Sequence, residues 1–215
     1  MRIQHARVSL ELHELAQRHG PALLLLHALF GSSADWGELP RSWPGPVYAL
    51  DFCGHGGSDR LLAAGYTPEL LAGDADCALA RIGRAALAGS GLGAYVALLV
   101  AGARPDLVPA ALLLPGAGLS GGGAQPDFDA QRAGFIDFAN AAQRAGSYDP
   151  MVAALDQDIR PVDYVEPFAR AARRLLLTED SAEQPPWWQA VRRSPNAEPV
   201  SADREHALAR LAAAI

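Results

Sequence analysis

The chain has 215 residues, of which 50% are hydrophobic and 20% charged, and its formal net charge is −6. This length and composition predict one substantial globular domain. The negative charge, with no basic stripe, argues against phosphate-rich ligands, so we expect no nucleic-acid partner. The sequence contains no lysine, which excludes a Schiff-base lysine and a P-loop lysine.

The N-terminal residues 1–20 mix charged with scattered apolar side chains, so we expect no signal peptide. Apolar runs end well short of the roughly 20 residues that a membrane span needs, so we expect no membrane partner. Two cysteines, Cys53 and Cys77, are too few for a disulfide framework and indicate a cytoplasmic protein. The histidines, cysteines and acids lack metal-ligand spacing, so we expect no metal and no cofactor.

Predicted strands and helices alternate along the chain. The strands are expected at 7–12, 21–26, 47–51, 85–89, 108–114, 173–178 and 198–201, because apolar residues there alternate or run together. Helices are expected at 68–82, 95–103, 185–192 and 206–215, the first with Thr67 as its N-cap and Pro68 at its first position. This order predicts an α/β fold with a mostly parallel twisted sheet and helices on both faces.

The most informative segment is the run of small residues Gly89-Ser90-Gly91-Leu92-Gly93, between an apolar strand and an apolar helix. The pattern is that of a nucleophile elbow, in which a catalytic Ser stands on a strained turn from strand to helix. The residues two before and two after the nucleophile must be small, because the backbone folds tightly there. Gly89 and Gly93 fit those places, so Gly91 stands where the nucleophile is expected.

Two further motifs follow buried strands: His27-Ala28-Leu29-Phe30-Gly31, and Asp51-Phe52-Cys53-Gly54-His55-Gly56-Gly57-Ser58. Together with the elbow, they resemble the α/β-hydrolase superfamily in its lipase, esterase and epoxide-hydrolase-like branch. In that family the first turn normally begins His-Gly and helps to form the oxyanion hole, whereas this chain has Ala28. The second normally has the form Asp-X-X-Gly-His-Gly-X-Ser, which this chain matches.

The resemblance also implies a domain organisation. Residues 1–118 would form the first part of the core sheet, and 173–215 the last strands and the C-terminal helix. Between them, 119–172 would form a small helical cap over the pocket. The Gly-rich residues 116–123 are expected to form a loop that leaves the sheet.

The family's nucleophile has two candidate positions in this chain. Gly91 fits by the small-residue rule, which would leave the chain without a nucleophile. A shift of one residue would place Ser90 at the apex, with Leu92 at a place that needs a small residue. The alternative interpretation of Ser90 is a polar residue that forms a hydrogen bond within the turn.

The acid and the base of the family's triad are also ambiguous. The acid position after the predicted strand 173–178 falls on Ser181, and Asp180 comes one residue early; Asp180 is alternatively an exposed turn acid. His206 has the expected spacing after the last strand, but Glu205 stands where the family has Gly. Its alternative interpretation is a surface residue in the first turn of a helix.

Other residues of the two strand-end motifs are candidates for the pocket. The resemblance implies that the N–H groups of Leu29 and Leu92 form the oxyanion hole, next to Ala28. We interpret His27 and His55 as structural residues of their turns. Cys53 also lies in a strand-end motif, but nothing in the sequence indicates a lowered pKa for its thiol.

Three hypotheses follow. The first is an α/β-hydrolase-fold protein with a degenerate triad that binds a small apolar ligand or a partner protein. The second is a working esterase or thioesterase that uses Ser90, His206 and Asp180. The third is a cofactor-free lyase-like activity that uses a general base in the same pocket.

Overall fold

The computed structural model describes residues 1–61, 65–120, 148–157, 159–178 and 184–215. The strands within these ranges are β1 (Arg2–His5), β2 (Val8–Ala16), β3 (Ala22–Leu26), β4 (Val47–Leu50), β5 (Ala85–Ser90), β6 (Ala111–Leu114), β7 (Leu175–Thr178) and β8 (Ala197–Val200). The α-helices are α1 (Pro68–Ile82), α2 (Leu92–Ala103), α3 (Glu166–Ala171), α4 (Pro186–Arg192) and α5 (Arg204–Ala212). Short 3₁₀ helices lie at Ser33–Trp36, Leu39–Ser42, Pro150–Asp156 and Val162–Val165. In this described part, no helix is long and apolar enough to cross a membrane.

The eight described strands form one sheet in the order β1-β2-β4-β3-β5-β6-β7-β8. The pairs β1–β2 and β2–β4 are antiparallel, and the remaining five pairs are parallel. The predicted fold class, an α/β fold with a mostly parallel sheet, is therefore confirmed. β5, which leads into the elbow, lies between β3 and β6 near the centre of the sheet.

Both faces of the sheet are covered by apolar side chains. Successive residues of a strand point to opposite faces, so the leucine run of β3 divides between two cores. Leu24 and Leu26 belong to the core that includes the buried residues of α1, α2 and α4. Leu23 and Leu25 belong to the second core, where Trp43 and α5 cover the sheet. The uninterrupted leucine run thus reflects burial on both faces, as the sequence predicts.

The N-terminal hairpin differs from the expectation. Only one strand, at 7–12, was expected before β3, but β1 pairs with β2 ahead of it. β1 is short, and Ile3 is its only buried residue, so it carries little hydrophobic pattern. β2 continues to Ala16 past an irregularity in its pairing with β4.

The start of α1 agrees with the sequence signals. Thr67 is its N-cap, and the Thr67 Oγ1 accepts a hydrogen bond from the Leu70 N–H at 3.2 Å. Pro68 occupies the first helical position, where its missing N–H leaves no intrahelical bond unmade.

The described part of the expected cap contains two 3₁₀ helices, Pro150–Asp156 and Val162–Val165, followed by α3. Residues 121–147 and 158 of the expected segment 119–172 lie outside the described residues. The cap as a unit therefore stays a prediction.

The β5–α2 turn is closed by a direct approach of main chains. A Cβ at Gly93 would lie well inside 3.0 Å of the Leu26 carbonyl oxygen at the end of β3. A Cβ at Gly89 would meet the main chain of Gly93 and Ala94 in the same way. Both positions therefore exclude any side chain, which is the physical basis of the small-residue rule used on the sequence.

A buried carboxylate joins three parts of the same core. Asp74 of α1 is fully buried and accepts hydrogen bonds from the Cys53 N–H at 2.9 Å and from His5 Nδ1 of β1 at 2.6 Å. Burial raises the pKa of Asp74 to about 6, although these two hydrogen bonds favour the ionised form. The carboxyl group holds β1, α1 and the turn after β4 together at an electrostatic cost.

Gly93→Ala is expected to destabilise the protein, although alanine is the better helix former. The added methyl group collides with the β3 main chain, an overpacking that costs about 1–3 kcal/mol. For a chain of this size, each kcal/mol lowers Tm by about 2–4 °C. Thermal unfolding checks this. The control is Gly65→Ala, where an added Cβ meets nothing within 4 Å; equal Tm values for the two variants would contradict the prediction.

Asp74→Asn is expected to gain stability relative to the parent chain as the pH rises. The folded-state pKa of Asp74 lies above the ordinary value of 3.8, so the folded state binds the proton more tightly than the unfolded state. Ionisation therefore penalises the folded parent above about pH 6, and the penalty disappears as the pH falls towards about 4.

Thermal unfolding of both chains between about pH 4 and pH 7 measures this difference. Asp106→Asn, which removes an exposed carboxylate paired with Arg173, is the control, because an exposed ion pair contributes little to stability. Parallel Tm profiles for Asp74→Asn and the parent would show that Asp74 ionises without cost.

Candidate functional site

Gly91 is the single residue between β5 and α2, at the apex of the elbow. Its φ of 54° and ψ of −115° lie where residues with a side chain are rarely found. Its N–H donates a hydrogen bond to the Leu114 carbonyl at 3.0 Å. The structure therefore gives the apex position of the turn to Gly91 rather than to Ser90.

The space above Gly91 is already filled. A Cβ at this position would lie well inside 3.0 Å of Ala117 O and Gly116 C, and 2.7 Å from Ala117 N. The occupants are main-chain atoms of the loop that follows β6. The place where a side chain at position 91 would begin is thus taken by the protein's own backbone.

The two expected oxyanion-hole amides meet at the same loop. The N–H of Leu29 donates to the Ala117 carbonyl at 3.0 Å, and the N–H of Leu92 donates to the same oxygen at 2.9 Å. Leu29 comes from the turn after β3 and Leu92 from the first position of α2. Two amides from separate loops therefore converge on one oxygen, which is the geometry that an oxyanion hole needs.

Ser90 is directed at the same loop. Its side chain is nearly buried, with the residue 8% exposed, and its Oγ donates a hydrogen bond to the Pro115 carbonyl at 2.8 Å. Ser90 is thus a polar residue held by a hydrogen bond, but its partner lies in the loop after β6 rather than within the turn.

The expected base lies on the surface. His206 is exposed in the first turn of α5, and its main-chain N–H donates to Oδ1 of the N-cap residue Asp203 at 3.0 Å. Among the described residues, Ser90 and His206 form hydrogen bonds with other partners and none with each other. Asp180, the expected acid, lies outside the described residues, as does Ser181.

His27 uses both ring nitrogens to hold its turn. Its Nδ1 is 2.7 Å from the Ala28 carbonyl, and its Nε2 accepts the Phe52 N–H at 3.1 Å. These partners assign the proton to Nδ1. Burial lowers the pKa of His27, so the ring stays neutral. The Ala28 carbonyl also accepts the Gly31 N–H, so Ala28 takes part in fixing this turn.

His55 packs against His27, with ring centroids 4.9 Å apart. Burial lowers the pKa of His55 to about 3, and the neighbouring His27 adds to this shift. Its Nδ1 is 3.3 Å from the Cys53 carbonyl, while its Nε2 has no hydrogen-bond partner among the described residues. The ring is therefore a neutral part of the core at neutral pH.

The second strand-end motif is a closed hydrogen-bonded turn. Asp51 accepts the N–H groups of Ser33 at 2.7 Å and Gly57 at 2.9 Å, and it contacts His13 Nε2 at 3.1 Å. Burial alone would raise the pKa of Asp51, but these hydrogen bonds hold it below its ordinary value. Ser58 Oγ donates to the Asp51 carbonyl at 2.5 Å. The motif's polar groups are thus used in fixing the loop.

Cys53 is buried, and burial together with the nearby carboxylate of Asp74 raises the pKa of its thiol to about 12. A thiol with so high a pKa is not a nucleophile at neutral pH. Within the described ranges, no group of three or more His, Cys, Asp or Glu residues could hold a metal ion.

An open cavity of about 220 Å³ lies away from the elbow, between α1, α2 and α3. Its lining includes apolar Leu99, Val100 and Phe168. Charged residues at its rim are already paired: Arg104 makes two hydrogen bonds to Asp76, at 2.7 and 2.8 Å. The cavity thus has an apolar floor and a neutralised rim.

Sequence reasoning missed the role of Ala117. The segment 116–123 is rich in glycine and was expected only as a loop leaving the sheet. The available signal was the Gly-Ala-Gly pattern directly after a buried strand, because glycines on both sides of a residue permit a close approach of main chains.

Solved structures of known proteins resemble the chain closely in fold. An alpha/beta hydrolase from Novosphingobium aromaticivorans DSM 12444 superposes with a TM-score of 0.72 at 18% identity, covering 100% of this chain and 98% of that one. The thioesterase domain from the curacin biosynthetic pathway gives a TM-score of 0.69 at 17% identity, with coverages of 99% and 97%.

A third similar structure is the bottromycin epimerase BotH in complex with bottromycin A2, with a TM-score of 0.64, 21% identity and coverages of 99% and 95%. No protein-family model matches the sequence, and no curated protein matches it either. At these identities the likeness is one of fold. The chain therefore has the α/β-hydrolase fold.

Proposed function

We propose that this protein is a non-hydrolytic member of its fold that binds a small apolar ligand or a partner instead of forming an acyl-enzyme. The observation that carries the proposal is the apex of the elbow, where Gly91 has no side chain and main-chain atoms of Gly116 and Ala117 fill the space of one. Without a nucleophile, only the weak acceleration from binding and oxyanion stabilisation would remain.

The contacts around the elbow support the same conclusion. Serine hydrolysis needs a hydroxyl within hydrogen-bond reach of a base. The Ser90 hydroxyl donates to the Pro115 carbonyl, and His206 lies exposed on α5. The oxyanion-hole amides of Leu29 and Leu92 are occupied by the Ala117 oxygen. Hydrolysis through Ser90, His206 and Asp180 is therefore the less supported alternative.

For the binding role, the cavity between α1, α2 and α3 is the best-supported site among the described residues. Its volume of about 220 Å³ suits a small group, and Leu99, Val100 and Phe168 offer an apolar contact surface. Because the rim carboxylates of Glu69 and Asp76 are paired with arginines, a charged ligand would find no unpaired partner there. These features favour a neutral apolar ligand.

The purified protein is expected to show no serine-hydrolase chemistry. A fluorophosphonate probe should leave Ser90 unlabelled, and p-nitrophenyl ester turnover should equal that of buffer, because the hydroxyl has no activating base. Mass spectrometry of the probe-treated chain reads out the label, with Ser90→Ala as the control. Labelling that Ser90→Ala abolishes would overturn the proposal.

Gly91→Ser is the matched gain-of-function control for that experiment. A serine at the apex would have to displace the main chain of Gly116 and Ala117, so the variant is expected to unfold at a lower Tm and to stay inactive. Ester turnover by Gly91→Ser would show that the acid, the base and the oxyanion hole are in place after all.

Binding of an apolar ligand in the cavity can be followed with the neutral dye N-phenyl-1-naphthylamine. Its fluorescence is expected to rise with the parent chain and to stay low with Ala72→Phe, which places a ring in the cavity. Ala209→Phe adds the same ring at an exposed position of α5 and should bind the dye like the parent. Equal fluorescence for the two variants would show that the dye binds elsewhere.

A further inference from the structure

The loop at the elbow has a second feature, which concerns how the oxyanion-hole amides are used. We propose that residues 116–120, named the latch, are a built-in ligand: the Ala117 carbonyl closes the two-amide hole and must swing out before a carbonyl or carboxylate oxygen of another molecule can enter. This goes beyond the proposed binding role and does not depend on it, because the latch could guard the hole in an active or an inactive protein.

The two amides form a ready site for a hydrogen-bond acceptor, since the protein itself places a carbonyl oxygen there. Both donor distances, 3.0 Å from the Leu29 N and 2.9 Å from the Leu92 N, are ordinary hydrogen-bond lengths. Leu92 opens the 12-residue helix α2, whose N-terminal end favours negative charge. A neutral amide carbonyl gains less there than a carboxylate would. The present occupant is therefore one that a stronger acceptor can replace.

The latch is fixed at one end. Just before it, the Ser90 Oγ holds the Pro115 carbonyl at 2.8 Å, and the Gly91 N–H holds the Leu114 carbonyl at 3.0 Å. Leu114 is the last residue of β6, which is paired on both sides in the sheet. Any movement of the latch must therefore begin after Pro115.

At its other end the latch is strained. Gly118, Leu119 and Ser120 have φ values of 107°, 54° and 54°, in the region that residues with a Cβ rarely adopt. Two of these three residues are not glycines. The conformation is held by hydrogen bonds to the 3₁₀ helix Pro150–Asp156: Leu119 N–H to Leu155 O at 2.7 Å, and Ser120 N–H to Asp156 O.

These observations describe a segment with two opposed tendencies. Hydrogen bonds at both ends of the latch keep it closed, and the left-handed backbone at Leu119 and Ser120 opposes them. A change in either tendency should shift the balance between closed and open forms. The latch thus differs from an ordinary loop in two ways: its own carbonyl fills the amide site, and its backbone beside that site is strained.

Gly118 of the latch lies close to the two residues that supply the amides. A Cβ at Gly118 would lie 2.8 Å from Leu92 Cβ and 2.9 Å from Leu29 Cβ. Gly118→Ala should therefore push the latch away from both amides. Gly83→Ala is the matched control, because Gly83 also has a positive φ, of 84°, but an added Cβ meets nothing within 4 Å.

The closed state is read by NMR of the full chain. Trans-hydrogen-bond N–C′ couplings are expected from the amides of both Leu29 and Leu92 to the Ala117 carbonyl, and both amides should exchange slowly with solvent. Absence of either coupling, with free-peptide exchange at that amide, would overturn the proposal.

The strain is tested by a pair of substitutions at one position. Ser120→Gly and Ser120→Ala both remove the hydroxyl, but only glycine accepts a φ of 54° without strain. Exchange at Leu29 and Leu92 should be several-fold slower in Ser120→Gly than in Ser120→Ala. Equal rates would show that no strain opposes closure.

Opening is tested by comparing Gly118→Ala with Gly83→Ala. Exchange at Leu29 and Leu92 should be faster in Gly118→Ala by on the order of tenfold, while the sheet amide of Leu87 is unchanged. Sodium butyrate, a small carboxylate, should then shift the Leu29 and Leu92 amide resonances in Gly118→Ala more than in Gly83→Ala. Equal exchange, or equal shifts with butyrate, would contradict the proposal.

If Gly118→Ala fails to fold, the Ser120 pair and the N–C′ couplings still decide the matter. None of these measurements uses ester turnover. A failure of the latch and a failure of the non-hydrolytic proposal are therefore distinguishable.

Discussion

Close contact between main chains at the β5–α2 turn is the constraint on which the rest of the structure depends. The Gly93 backbone lies against the end of β3, and the Gly89 backbone lies against Gly93 itself. Because neither glycine carries a Cβ, the helix can begin directly above the centre of the sheet. That approach fixes the Leu92 amide relative to the turn after β3, which carries the Leu29 amide. The loop after β6 then meets both amides.

The same constraint explains why the absence of a side chain at Gly91 affects more than the turn itself. A bare apex allows the backbone after β6 to come down onto the turn, where Ala117 satisfies two amides that would otherwise be open to a ligand. Buried amides without partners are costly, so an empty hole would carry a penalty. Filling it with a main-chain carbonyl removes that penalty without a substrate.

Residue patterns predicted most of the sheet because burial on both faces requires uninterrupted apolar runs. β3, β4, β5 and β7 lie where the apolar runs are. β1 escaped detection because Ile3 is its only buried residue. The small-residue rule placed Gly91 at the apex from local spacing alone, since that constraint acts within a few residues.

The remainder of the site depends on contacts between residues far apart in the chain, which spacing does not encode. Ala117 meets Leu29 across 88 positions and Leu92 across 25, and nothing in its own identity marks it as an acceptor. The exposure of His206 likewise depends on where α5 packs. Spacing could propose His206 for a triad, but only the packing shows that it is exposed.

The filled space above Gly91 also limits the order in which two changes could occur: a side chain at position 91 and a movement of the loop after β6. Introducing a serine at position 91 alone would create a collision with the loop after β6, so that chain would be less stable. The loop after β6 would have to retreat before a serine became useful, and that retreat alone would leave two amides unsatisfied. Each of these two changes is thus unfavourable alone, so they would have to occur together.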